Sequence, residues 1–367
     1  MASALRLAEK NCWLPAPNPS VGCVITSASG AILGQGHTQR SGGPHAEIMA
    51  LRDAVAHGHG TAGATAYVTL EPCCHQGRTG PCCEALVSAG IKKVVAAIAD
   101  PNPLVSGQGL AHLRAAGIEV EVGAGAIEAR EINIGFFSRM VRKTPWVRVK
   151  IAASLDGQTA LNNGASQWIT SVEARSDGHA WRARASAVLT GIGTVLADNP
   201  QLDVRLVSTP RQPALVVVDS SLSMPMDAAL FQVERPLIIY AAVPDDAKQA
   251  ALQARGASVI YRPEMSASGE PTGKVDLAAM LLDLGQREIN ELHVEAGPTL
   301  NGALIRAGLV DELLLYLAPK LLGQGRGMAN FGPLTALTDA LALDFKSTSM
   351  IGPDLRLLAR VCGHDQF

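Results

Sequence analysis

Three short stretches carry residues able to hold a metal and move a proton: His45-Ala46-Glu47, Glu71-Pro72-Cys73 and Pro81-Cys82. One imidazole and two thiolates make a three-ligand set for zinc and leave the fourth tetrahedral position to water, as in a catalytic zinc site. Zinc lowers the pKa of that water to about 7, so a hydroxide nucleophile is available at neutral pH. Glu47 is not needed as a ligand and can pass the water's proton to a ring nitrogen and a departing amine. The chemistry implied is hydrolytic removal of an amino group from a heterocycle, for which the usual spacing is H-x-E…P-C-x-x-C. Here the step from Cys73 leads to Cys82 or Cys83 instead of a cysteine three residues on. Cys82 is preferred because it follows Pro81 at a helix start, where free amides favour a thiolate. Cys73 is preferred over Cys74 because Pro72-Cys73 is the motif position. The competing arrangement is a closed zinc clip drawing on Cys74, Cys83 or His75; His37, His57 and His59 are further available imidazoles.

Bringing such separated residues together calls for a layered fold. The pattern predicts strands over 21–26, 66–70, 94–99 and 118–122 and helices over 46–57, 82–89 and 110–116. Ile48, Leu51 and Val55 share one face of the first helix; the others stop at Gly90 and Gly117. This alternation argues an α/β domain. Residues 139–150 hold five basic side chains around Thr144-Pro145 and read as a solvated connection, giving domains 1–143 and 144–367. The second half restarts with strands over 214–219, 237–241, 258–261, 291–295 and 312–317 and helices over 277–284 and 299–307. It has neither a G-x-G-x-x-G nor a G-x-x-x-x-G-K-[ST] motif. Residues 293–300 do carry a mechanism: a strand, a Gly297-Pro298 turn and a helix start with Thr299 near its N-cap. Free amides there suit a phosphate.

Composition narrows the function classes. The 367 residues suit about two domains, and with 47% hydrophobic and 17% charged residues the chain lies outside the disordered class. A formal charge of −2 speaks against nucleic-acid binding. No apolar run reaches the roughly 18 residues of a membrane span, and the first ten residues, with acidic Glu9, lack a signal pattern. Seven cysteines, four of them within 73–83, read as metal chemistry in a reducing cytoplasm before they read as disulfides.

On specific segments the sequence resembles the bifunctional riboflavin-biosynthesis deaminase/reductase family. PNPSVGCVI (17–25), PHAEIMAL (44–51), TAYVTLEPCCHQGRTGPCC (65–83) and DPNP (100–103) look like its deaminase half. KIAASLDG (150–157), SQWIT (166–170), LTGIGTVLADNPQLDVR (189–205), VEAGPTL (294–300) and APKLLG (318–323) look like its reductase half. Cys74 in place of a serine, Gly80 in place of a proline and the 11–17 stretch depart from the family pattern; none touches an expected ligand. The resemblance implies an N-terminal cytidine-deaminase-like three-layer α/β domain and a C-terminal domain similar to dihydrofolate reductase. It implies one zinc ion per chain on His45, Cys73 and Cys82, and NADPH in the second domain. Asn18, His37, Arg78, Asp100 and Asn102 would hold a phosphorylated pyrimidine; plain turn chemistry is the other reading of Asn18, Asp100 and Asn102. Ser166, Arg182, Leu202, Arg205 and Glu295 would face the substrate of the second step, with Arg182 and Arg205 as partners for its phosphate. Ala152, Trp168, Thr194 and Asp198 would border the nicotinamide or ribose, and Gly297, Pro298, Thr299, Leu300, Asn301, Gly302 and Ala303 would receive the phosphates. Ser220 is the position taken for the 2′-phosphate, and Lys150 and Asp156 are candidate proton donors by position. The implied reactions are deamination of 2,5-diamino-6-(5-phosphoribosylamino)pyrimidin-4(3H)-one and NADPH-dependent reduction of its ribosyl group to ribityl. A homo-oligomer, dimer or tetramer, is expected. The alternative is a nucleic-acid or tRNA deaminase with an appended domain.

Overall fold

A computed structural model describes residues 1–10, 12–74, 80–103 and 105–367. The chain divides into two units, Met1–Lys143 together with Phe367, and Thr144–Gln366.

The first unit runs α1 (Ala2–Lys10), β1 (Gly22–Thr26), β2 (Ile32–His37), α2 (Ala46–Ala56), β3 (Thr65–Val68), α3 (Cys82–Ser88), β4 (Lys93–Ala96), α4 (Gln108–Ala115), β5 (Glu119–Val122), α5 (Ala126–Ile132) and α6 (Ile134–Arg142). Its sheet has the order β2-β1-β3-β4-β5. β1 is antiparallel to both neighbours, and β3, β4 and β5 are parallel. Gly22 pairs with His37, Cys23 with Val68, and Val68 with Ala96. The start of β1 and the ends of β2, β3 and β4 therefore share one margin of the sheet, the margin at which open α/β sheets bind ligands.

Helix α2 rests directly on β2. A Cβ at Gly34 would stand 2.2 Å from the Ala50 carbonyl oxygen, and one at Gly36 would stand 2.6 Å from that of Ala46. The buried stripe of α2 is Ala46, Glu47, Ala50 and Ala54. The expected apolar face is corrected here: Val55 is 75% exposed, because closeness to the glycine strand selects alanines over larger side chains.

The second unit runs β6 (Trp146–Ser154), β7 (Gln158–Leu161), α7 (Val172–Arg184), β8 (Ala187–Gly191), α8 (Ile192–Asp198), β9 (Ala214–Val218), β10 (Leu237–Ala241), α9 (Asp246–Ala254), β11 (Ala257–Tyr261), β12 (Pro263–Met265), β13 (Pro271–Val275), α10 (Leu277–Gln286), β14 (Glu291–Val294), α11 (Pro298–Arg306), β15 (Glu312–Ala318), β16 (Gly325–Gly327), β17 (Leu343–Ile351) and β18 (Asp354–Val361). A nine-stranded sheet has the order β11-β10-β9-β8-β14-β6-β15-β18-β17, parallel as far as β15 and antiparallel beyond it. Valine- and leucine-rich strands buried on both faces explain the parallel part; Leu189, Val216, Leu292 and Val149 all belong to one core cluster.

The solvated-connection reading of 139–150 is overturned. Arg139 and Arg142 lie in α6, and Trp146 and Arg148 are buried in β6. Arg148 donates to Glu291 at 2.7 Å and Glu312 at 2.6 Å, and Arg360 donates to Glu312 at 2.9 Å. The acids that neutralise Arg148 lie far away in sequence, so the basic run looked solvent-facing.

Candidate metal centre and ligand cavity

The shared margin of the first sheet collects the metal-binding residues. His45 ends the approach to α2 in extended geometry, and Pro81 does the same for α3. The chain leaving β3 delivers Cys73. His45 Nδ1 lies 3.5 Å from Cys73 Sγ and 3.3 Å from Cys82 Sγ, and the three donor atoms fall within 4.8 Å of one another. Bond lengths of about 2.3 Å for Zn–S and 2.0–2.1 Å for Zn–N in a tetrahedron demand N···S separations of roughly 3.6 Å. The set fits zinc. The backbone N–H of Cys82 donates to Cys73 Sγ at 3.4 Å. Hydrogen bonds from Cys82 and His45 bring the Cys73 thiol down to about 4 against the desolvation that opposes it. Cys83 faces inward, its thiol directed to the carbonyls of Pro72 and Gly109, and Cys74 points toward Gln108.

Glu47 is 3% exposed on the first turn of α2. Burial first, and then the neighbouring Cys73, push its carboxyl up to about 7. A carboxyl near neutrality is matched to taking and returning a proton at physiological pH.

Glu71 has a different task. Its buried carboxylate accepts from the backbone N–H groups of Asp100 (3.1 Å), Gly107 (2.9 Å), Gly109 (2.8 Å) and Leu110 (3.2 Å). It therefore ties the segment bearing Cys73 to the loop after β4. On that loop the Asn102 N–H donates to Asp100 Oδ1 at 2.8 Å, a local Asx turn. Asn18 precedes β1 and His37 closes β2, so both rise from the same margin; the His37 ring lies 3.1 Å from the Thr38 carbonyl. Arg78 and the alternative ligand His75 lie outside the described residues.

In the second unit the ends of parallel strands open onto a cavity of about 1970 Å³. Single-ligand sites occupy roughly 300–1,000 Å³, so this space admits a dinucleotide and a second ligand together. Ala152, Ser166, Trp168, Arg182, Thr194, Asp198, Leu202, Arg205, Ser220 and Glu295 line it, as do Gly297, Pro298, Thr299, Leu300, Asn301 and Ala303. Gly302 does not; a Cβ there would sit 2.0 Å from the Asn330 carbonyl oxygen, so its role is close packing. Helix α11 is capped by Gly297, with Pro298 in its first turn, and no side chain covers its first amides. The N-cap is thus Gly297, two residues before Thr299. Trp168 carries the Arg175 guanidinium 4.3 Å from its ring centre, and Lys320 donates to the Trp168 and Ile169 carbonyls at 3.3 and 2.8 Å.

The second unit resembles a known family domain. Its residues 145–357 match the family model of the RibD C-terminal domain, while residues 1–98 match the cytidine and deoxycytidylate deaminase zinc-binding region. The riboflavin biosynthesis protein RibD of Escherichia coli (strain K12) is 45% identical over 360 residues, 97% of each chain. That of Aquifex aeolicus is 39% identical over 97% of this chain and 96% of its own. The Acinetobacter baumannii RibD structure superposes with a TM-score of 0.86 at 39% identity, covering 98% of this chain and 97% of that one. A Thermotoga maritima diaminohydroxyphosphoribosylaminopyrimidine deaminase/5-amino-6-(5-phosphoribosylamino)uracil reductase gives 0.83 at 31% identity over 99% of this chain and 97% of its own.

The chain belongs to the RibD family.

It is accordingly a deaminase and a reductase of riboflavin biosynthesis, and the expected pair of a cytidine-deaminase-like domain and a reductase domain is borne out. The tRNA-deaminase alternative gives way to the RibD reading. Partners within the RibD second unit bear on several of the expected residues. Arg182 lines the cavity and also donates to Glu295 in a fork, Nε–Oε1 2.7 Å and Nη2–Oε2 3.0 Å, and to the Asp203 carbonyl. Burial opposes the charge on Glu295, yet Arg182 and Lys150 hold its carboxyl well below the usual range. Asp156 is a turn-builder outside the cavity, accepting from Ser154 and from the N–H groups of Leu322 (3.1 Å) and Gly323 (2.7 Å). Lys150 does line the cavity, 3.7 Å from Glu295. Glu71, Gly34 and Gly36 went without a role in the sequence reading; the signal for Glu71 was its place beside Pro72-Cys73.

Proposed function

We propose that residues 1–143 carry the deaminase and residues 144–367 the reductase, acting in turn on 2,5-diamino-6-(5-phosphoribosylamino)pyrimidin-4(3H)-one. The observation that carries this is the meeting of His45, Cys73 and Cys82 within 4.8 Å beside buried Glu47. These three residues would hold one zinc ion per chain, which would supply an activated water. Glu47 is placed to accept the proton given up when water adds to the ring carbon bearing the amine, and to return it as ammonia leaves and a carbonyl forms. Asn18, His37, Arg78, Asp100 and Asn102 position the pyrimidine and its phosphate.

In the second unit the uncapped amides of α11, from Gly297 onward, receive the phosphates of NADPH; Ala152, Trp168, Thr194 and Asp198 border its nicotinamide and ribose, and Ser220 its 2′-phosphate. The cofactor, when bound, supplies hydride to C1 of the opened ribosyl chain. Arg205, half-exposed and paired with Asp203, and Arg182 are the cavity guanidiniums proposed for the substrate phosphate. Ser166, Leu202 and Glu295 face the same ligand, and Lys150 is placed to give a proton to the imine nitrogen on C1.

The exposed apolar residues Phe345 (70%) and Met350 (64%) of edge strand β17 support a homo-oligomer, dimer or tetramer. Among the described residues no helix is long and apolar enough to cross a membrane; with all seven cysteines unbridged, a cytoplasmic location is the reading adopted. The test is to supply purified, zinc-loaded protein with the diaminopyrimidine and NADPH. The expected result is release of ammonia, replacement of the ring amino group by oxygen in the mass spectrum, and loss of NADPH absorbance. Ammonia without NADPH oxidation would defeat the reductase half of the proposal.

A further inference from the structure

Residues 201–205 cross the mouth of the ligand cavity in no helix or strand. Their backbone is served by side chains instead of a ladder. The carbonyls of Gln201 and Leu202 accept from the Arg235 guanidinium, the latter at 2.6 Å, and that of Asp203 accepts from Arg182. Gln212 receives the Val204 N–H at 2.7 Å and donates to its carbonyl at 2.9 Å; the Arg205 N–H donates to His179 Nδ1 at 3.2 Å. Two non-glycine residues here hold left-handed backbone, Asn199 at φ 42° and Leu202 at φ 51°. Such residues each cost on the order of 1–3 kcal/mol and persist only where the surroundings over-determine them.

Arg235 is the least expected member of this bracket. It does not line the cavity, and among the described residues it has no carboxylate within ion-pair reach. Its Nε is buried without a partner. Burial, followed by the charge of Arg182, lowers it to about 10. A half-buried cation whose hydrogen bonds go to carbonyls, beside another cation and with the Asp203 charge as partial compensation, is unfavourable for folding alone. It makes sense where the shape of those carbonyls' segment matters.

We infer that Arg235 is a positioning residue of the reductase: by holding the Gln201 and Leu202 carbonyls it sets the strap that presents Leu202 and Arg205 to the phosphorylated pyrimidine. The inference rests on the proposal that Leu202 and Arg205 face that substrate. Arg235 does not touch the ligand, so its removal acts on substrate affinity and leaves the phosphate cradle of α11 alone.

The test uses the full chain with Arg235→Ala, Arg235→Lys and Arg205→Ala. The KM for the deaminated pyrimidine, the Kd for NADPH from fluorescence titration, and ammonia release by the deaminase are measured on each. Arg235→Ala is expected to raise the pyrimidine KM about tenfold, with the NADPH Kd and the deaminase rate unchanged. Arg235→Lys should recover part of the loss, as should millimolar guanidinium added to Arg235→Ala. Hydrogen exchange should show faster exchange at the Val204 and Arg205 amides. An unchanged KM in Arg235→Ala where Arg205→Ala raises it overturns the inference. So does an equal loss of NADPH affinity, or a failure of guanidinium to restore KM. If Arg205→Ala also leaves KM unmoved, the substrate-facing reading of the strap is what has failed, and the inference falls with it.

Discussion

Glu47 shows how little latitude the proposed proton carrier has. It must be buried to bring its carboxyl near neutrality, yet it lies two residues from a metal ligand on one helical turn. Glu47→Gln should keep one zinc per chain by metal analysis and lower ammonia release about 10²- to 10⁴-fold; a variant that still deaminates would remove Glu47 from the mechanism. His179 makes the complementary case in the second unit. Burial, then the charges of Arg182 and Arg205, lower it to about 4, against roughly 6.5 in an unfolded chain. Between these values the unfolded chain binds the proton and the folded chain does not, so stability falls as pH drops from about 6.5 and the loss is complete below about 4. Urea midpoints followed by the fluorescence of Trp146, Trp168 and Trp181 should decline through that window. The decline should be shallower in His179→Gln, which cannot titrate. The zinc set was legible in sequence because the chemistry dictates residue types. The fork from Arg182 to Glu295 was not, since an arginine's partner more than a hundred positions away leaves no local mark.

At the scale of elements, the helix that carries His45 and Glu47 is held by what β2 lacks. Gly34 and Gly36 allow the backbones of strand and helix to approach, and any Cβ there meets the carbonyls of α2. Gly36→Ala should therefore destabilise the first unit by about 1–3 kcal/mol and lower both zinc retention and deamination. Reduction of an already deaminated substrate should continue. Full deaminase activity with bound zinc in that variant would show that the contact is not needed. β2 went unread in the sequence for the same reason it matters, because two glycines in six residues depress strand propensity. On α2 the expected apolar face holds only in part, since Leu51 packs against the core and Val55 is exposed. Strands such as β9 and β10 were plain, since continuous valine, leucine and isoleucine runs mark strands buried on both sides.

For the whole molecule, the family follows from agreement between two halves that carry different chemistry. The zinc half declares itself through residue types, and the other half through longer stretches that only a family comparison interprets. The candidate metal ligands and the cavity belong to separate units. Treatment with a strong chelator should abolish ammonia release while leaving NADPH oxidation with the deaminated pyrimidine intact. Loss of both rates together would mean that zinc supports the second unit as well. The strap over the cavity has a further consequence, for how such an enzyme can change. Its hydrogen bonds come from four side chains on neighbouring segments, and no strand pairing runs through it. Single substitutions at Gln212 or Arg235 can reshape this side of the pocket without disturbing the sheet, whereas Arg182 also neutralises buried Glu295. New ligand preferences are therefore open to selection here at small risk to the fold.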